Sequence, residues 1–203
     1  TDLHFSLQRL TNCISRITDP VDGPAESLHE LAGRVVRDLN ETLCDPASGQ
    51  ATAALVRFFM TVEHGSLEHS VSNAIASRFP DLAPQPDTKC LTLMGTAGDE
   101  PDWCDVARSR GHRSIPLMNE ESVAQIPMIA RLVSELGLEI HQVLKPGADL
   151  TMAEEKRDFR VFHVEEAVGS QYIPDQEFVS SRGIRSVLGF GSMLPTGHLF
   201  VVI

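Results

Sequence analysis

The chain is poor in lysine: Lys89, Lys145 and Lys156 are the only three in 203 residues. No run of Lys and Arg is longer than two, and the formal net charge is −11. Nucleic acids and anionic membrane surfaces both demand clustered cations, so neither is an expected partner. Long apolar runs are missing as well; nothing approaches the roughly 18 residues that cross a bilayer. The start, TDLHFSLQRL, has neither the cationic end nor the apolar stretch of a signal peptide. Cysteine is sparse and dispersed, at Cys13, Cys44, Cys90 and Cys104, with no CxxC pair. A chain of this length buries roughly 70% of its extended surface and needs no staple. The cysteines therefore read as reduced thiols, and the expected location is the cytoplasm. No GxSxG elbow, GxxxxGK[ST] loop or GxGxxG turn is present, which removes the usual frames for serine hydrolysis and nucleotide binding.

What is present is amphipathic patterning. Leu3, Leu7, Leu10, Ile14 and Ile17 are spaced 4, 3, 4, 3. They predict an amphipathic helix over 1–18, packed on its own domain or paired with the same helix of a second chain. DPVDGP (Asp19 to Pro24) breaks it. Ser27 and Glu30 then form a capping box ahead of Leu28, Leu31, Val35, Leu39 and Leu43, which line one helical face. Ala53 to Val62 alternates as a strand, and 66–79 has helical spacing at Leu67, Val71, Ile75 and Phe79. Lys89 to Thr96 is a second strand; Gly98 to Arg113 is polar and irregular. Residues 119–136 are helical, with a kink or a second helix starting near Pro127 and a C-cap at Gly137. Phe159 to Val164 is a third strand, and Asp175 to Ser181 a short helix. Ile184 to Leu194 and HLFVVI form a hairpin across Pro195-Thr196-Gly197. The chain starts without Met and stops inside an apolar strand at Ile203, which predicts an excised fragment of a longer protein.

This order of elements resembles the GAF sensory domain, in particular GAF-like input domains of bacterial multidomain signalling proteins. The stretches that carry the resemblance are ALVRFF (54–59), KCLTLMGTAGDEPDW (89–103), GHRSIPL (111–117) and YIPDQEFVSSRGIRSVLGFGSMLPTGHLFVVI (172–203). It implies an α+β, GAF/PAS-like domain over 25–203: an antiparallel sheet of five or six strands with helices on one face, preceded by the N-terminal amphipathic helix. It also implies a closing helix beyond the hairpin that leads to an output module such as a histidine kinase, and a homodimer formed through terminal helices. The implied function is sensory: a small ligand, of a kind the sequence does not name, or a relayed partner state shifts the packing of those helices. No cofactor is indicated.

Two other functions stay open. Cys90 and Cys104 admit a redox enzyme resembling the free-methionine sulfoxide reductases of the same fold, although Asp99, Glu100, Asp102 and Asp105 around Cys104 disfavour a thiolate there. A plain dimerisation scaffold with a side-chain-filled pocket is the other. His64 and His69, beside Glu63 and Glu68, are five apart and do not share a helical face, so the pair reads as a solvated loop-to-helix join, and a metal held by a single histidine has no positive support. Gly189-Phe190-Gly191 lies in a strand, where glycine marks a bend or a close backbone approach. Trp103 to Arg113 is the best ligand-binding stretch, because a small cationic group is unusual in so acidic a chain. The candidate residues are Trp103, Arg110, His112 and Arg113, with Tyr172 and Arg185 as further candidates; none is assigned catalysis.

Overall fold

The computed structural model describes residues 23–45, 48–109, 113–146 and 161–203. The predicted helix over 1–18 lies outside them. The elements are α1 (Leu28–Thr42), β1 (Leu55–Glu63), α2 (His69–Arg78), β2 (Lys89–Gly98), β3 (Ser114–Pro116), α3 (Glu120–Ala124), α4 (Pro127–Glu135), α5 (Ile140–Leu144), β4 (Val161–Val164), α6 (Gln176–Ser181), β5 (Val187–Met193) and β6 (Leu199–Val202). The architecture is α+β, with one open six-stranded sheet in the order β3-β2-β1-β6-β5-β4. The β2–β3, β4–β5 and β5–β6 pairs are antiparallel. Two compact units divide the chain: Thr1–Phe58 with Leu93–Gly111, and Phe59–Thr92 with His112–Ile203.

In the first unit, α1 starts at Ser27, whose hydroxyl accepts from the Glu30 backbone N–H at 3.1 Å. The reciprocal arm differs from the box read in the sequence: the Glu30 carboxylate accepts from the Glu26 N–H at 2.8 Å, not from that of Ser27. That bond and the Arg34 guanidinium hold the Glu30 carboxyl below the ordinary carboxylate range. Ala32, Val36 and Leu39 bury one face of the helix. A Cβ on Gly95 of β2 would stand 2.7 Å from the Ala32 carbonyl, so this helix-to-strand approach requires glycine. Polar 98–113 forms short 3-10 turns at Pro101–Cys104 and Val106–Arg108, in keeping with its irregular pattern.

The second unit owns the larger core. Phe162 and Val164 of β4, Met193 of β5, and Leu199 and Val201 of β6 are buried. They join one cluster with Val123 of α3, Ile129, Leu132 and Val133 of α4, Val143 of α5 and Val179 of α6. The alternate residues of β4 and β5, Val161, Leu188 and Phe190, are exposed, as period-two geometry demands. Pro127 does divide the predicted 119–136 helix in two, because its missing N–H is harmless only in a first helical turn. The glycines of Gly189-Phe190-Gly191 mark a close strand approach. A Cβ on Gly191 would collide with the Phe200 carbonyl, and one on Gly189 would stand 3.2 Å from the Val202 carbonyl. The hairpin turn places Gly197 at φ 78°, in the left-handed region that favours glycine. Inside this unit β1 is tied to the start of β6 by Thr61. Its carbonyl meets His198 Nδ1 at 2.6 Å, and its fully buried hydroxyl accepts from the Leu199 N–H at 2.8 Å.

Candidate functional site

Helix α4 carries Arg131 over the end of β4. The guanidinium lies 4.2 Å from the centre of the Tyr172 ring and 5.5 Å from that of Phe162. Its Nε meets Glu135, one turn on, at 3.0 Å, and its Nη2 donates to the His163 carbonyl at 3.0 Å. A planar guanidinium suits this position because its face stacks while its edge donates. Stacking on an aromatic contributes about 0.5–2 kcal/mol, more as water is excluded. The His163 carbonyl belongs to the edge strand β4, so Arg131 also occupies an acceptor that an unpaired edge would leave open.

The loop that follows β4 is built around one side chain. Gln176, the first residue of α6, donates through Nε2 to the carbonyls of Ala167 at 3.1 Å, Ser170 at 3.2 Å and Ile173 at 2.8 Å. Its Oε1 accepts from the Gly169 N–H at 2.6 Å. Two amide hydrogens thus serve three carbonyls while the oxygen serves the one N–H. A loop that turns away from the sheet must satisfy its backbone groups somewhere, and here one glutamine does so. Ala167 and Ile173 are buried and anchor the two sides of the loop in the core. Tyr172 is thereby delivered beneath Arg131.

Between α4 and this loop lies an open groove of about 640 Å³, lined by Arg131, His163, Glu165, Glu166, Ser170 and Tyr172 among others. Arg131 is half-buried, whereas His163, Glu165 and Glu166 are exposed. The groove therefore combines a fixed guanidinium, paired with Glu135, an aromatic ring, hydroxyls and a carboxylate rim. Such a set suits a small polar molecule, with a planar or apolar part on the Tyr172 ring and polar ends toward the rim.

The residues singled out in the sequence are placed as follows. Tyr172 lines the groove. Arg185 is exposed in the second unit; its carbonyl accepts from the Ala167 N–H at 2.8 Å, so its backbone supports the groove loop. Arg113 is half-buried just ahead of β3, and its Nε is buried with no hydrogen-bond partner among the described residues. Trp103 belongs to the first unit, where it packs over Gly98; a Cβ there would stand 2.9 Å from the indole. The Trp103 carbonyl accepts from the Thr96 hydroxyl at 2.8 Å. Arg110 and His112 lie outside the described residues. Arg131, His163 and Gln176 were not singled out by the sequence. Apart from the i,i+4 pair of Arg131 with Glu135, their contacts are long-range or side chain to backbone, and neither of these leaves a spacing signature.

Of the two cysteines considered for redox chemistry, Cys90 is fully buried in the second unit. Burial pushes its thiol up to about 11, partly opposed by a hydrogen bond from Ser114. It is thus protonated at neutral pH. Cys104, in the first unit, is exposed, and its thiol donates to the Gly98 carbonyl at 3.4 Å. Among the described residues no group of three His, Cys, Asp or Glu side chains is placed to hold a metal ion. No described helix is long and apolar enough to cross a membrane. No family model, curated protein or solved structure matches the chain.

Proposed function

We propose that the chain is a GAF-like regulatory module of a signalling protein. It takes a small polar ligand in the groove between α4 and the loop after β4, and passes occupancy to an output module such as a histidine kinase. The observation that carries this reading is the Arg131–Tyr172 stack beside a loop that Gln176 holds together. Polar bonds of this kind fix a cleft in advance, so a ligand does not have to order it. The six-stranded open sheet, with α3–α6 packed against β4–β6, supports the GAF-like part of the reading. Occupancy acts by population shift: contacts to Arg131 and Tyr172 bias α4 relative to the loop, and a ligand changes the balance only by its differential affinity. The test is a thermal-shift screen of amino acids, organic acids and nucleotides against wild type and Arg131→Ala. A compound that raises the wild-type melting temperature and leaves the variant unmoved supports the site. A response shared equally by both removes the groove from consideration.

A second reading, a dimerising scaffold without a ligand, is favoured by one observation. The space between α3–α6 and strands β4–β6 is filled by Val123, Ile129, Leu132, Phe162, Val179 and their neighbours. A screen without any hit, together with a stable dimer in sedimentation, selects this second reading.

A further inference from the structure

We infer that a second groove, wholly within the first unit and independent of the Arg131 groove, binds a small organic dianion of the dicarboxylate type. This groove, of about 400 Å³, runs between α1 and β2. One wall is a single face of α1, made by His29, Gly33 and Arg37. Residues four apart stack on one side of a helix, so an imidazole and a guanidinium flank a gap. Their Cα atoms are about 12 Å apart along the axis, with the glycine midway between them. Among the described residues neither the His29 ring nor the Arg37 guanidinium has a hydrogen-bond or ion-pair partner.

Gly33 is the second observation. A glycine in mid-helix weakens the helix relative to alanine, so a fold keeps one for a packing reason or for another purpose. Among the described residues no packing reason is found: a Cβ at Gly33 would meet nothing within 4 Å. Gly95, across the groove, shows the contrast, because a Cβ there would run into Ala32. The space at Gly33 is thus open volume of the groove among the described residues.

The polar groups of the opposite wall have partners of their own, although Asp105 shares its arginine, Arg108, with Asp102. The Asp105 carboxylate already accepts from the Ala107 N–H at 2.8 Å and pairs with Arg108 at 3.5 Å. The Thr96 hydroxyl is committed to Trp103, and the Cys104 thiol to Gly98. Glu30, the carboxylate of α1 that feels Arg37, is occupied by Arg34 and the Glu26 N–H. In a chain of charge −11 the groove therefore presents, among the described residues, side-chain donors without partners on its α1 side. A carboxylate pairs with the Arg37 edge by charge-assisted bonds, and a second anionic end meets His29.

The probe is succinate, titrated calorimetrically at fixed ionic strength with potassium chloride as compensating salt; acetate and inorganic phosphate are the one-ended and compact controls. Succinate is expected to bind wild type more tightly than either control. Arg37→Ala weakens it by about tenfold or more, the worth of a charge-assisted bond. Gly33→Gln, which plugs the gap with a good helix former, raises the melting temperature without ligand and abolishes binding. Far-UV circular dichroism verifies that both surface variants fold. Succinate binding that both variants retain at wild-type strength overturns the proposal, as does failure of wild type to bind succinate at millimolar concentration.

Discussion

Replacing Gln176 tests whether one side chain organises the groove loop. Its amide serves three carbonyls and one N–H, with bonds of 2.6 to 3.2 Å. A net hydrogen bond contributes about 0.5–1.5 kcal/mol. Two hydrogens are shared among three carbonyls and the Gly169 end is exposed, so the four contacts together amount to about 2–3 kcal/mol. Gln176→Ala should lower unfolding stability by that amount and speed amide exchange across 167–173. Gln176→Glu is the sharper variant. Its carboxylate keeps the Gly169 N–H but donates nothing, and it faces the carbonyls of Ala167, Ser170 and Ile173. It should be less stable than the Ala variant by about 1 kcal/mol or more at neutral pH, because buried acceptors are then set against a charge. Urea unfolding followed by circular dichroism gives the stabilities, and hydrogen-exchange mass spectrometry locates the loss. An Ala variant within about 0.5 kcal/mol of wild type, the scatter of ordinary surface changes, would refute the reasoning; so would a Glu variant as stable as wild type.

Three further outcomes are expected. Thr61→Val strips the acceptor from the buried Leu199 N–H and should lower stability by about 1–3 kcal/mol in the same urea assay. Cys90 has a folded pKa raised from 9.0 to about 11. Its contribution is therefore full below pH 9 and fades as pH climbs through 11, by up to about 2–3 kcal/mol; a stability-against-pH series should show this decline in wild type and lack it in Cys90→Ala. Gly33→Ala fills open space on a helix and should stabilise the protein by about 0.5–1 kcal/mol, read as a rise in melting temperature.

The elements of this fold with strong periodicity were legible in the sequence. Ser27 marked the start of α1, Pro127 the split between α3 and α4, and Pro195-Thr196-Gly197 the last hairpin, because each acts through local backbone geometry. β1 and β2 agreed with their alternating or continuous apolar patterns to within a few residues at the ends. β3 was missed: three residues carry too few alternations to register, and Ser114–Pro116 is a strand only because β2 pairs with it. α5 was missed for the same reason, being a five-residue helix held by Val143 in the core.

The candidate site was legible only in Tyr172. Arg131 was unremarkable within an amphipathic helix, since its roles toward Tyr172 and the His163 carbonyl depend on tertiary approach. Gln176 works by side chain to backbone bonds, which leave no mark on hydropathy. The small cationic group that stands out in the sequence of this acidic chain is the stretch around Trp103; His29 and Arg37 are eight residues apart and form no such group in the sequence. The residues Arg110 and His112 of that stretch lie outside the described part of the chain.

The central claim, that the groove between α4 and the loop after β4 receives a small polar ligand, is most directly tested by amide chemical-shift mapping. Uniformly 15N-labelled protein is titrated with pools of amino acids, organic acids and nucleotides. The account predicts a compound whose saturable shifts centre on 163–172 and on Arg131, and which produces none of them in Arg131→Ala. Saturable shifts confined to other parts of the chain, or no saturable shift from any pool, would contradict it.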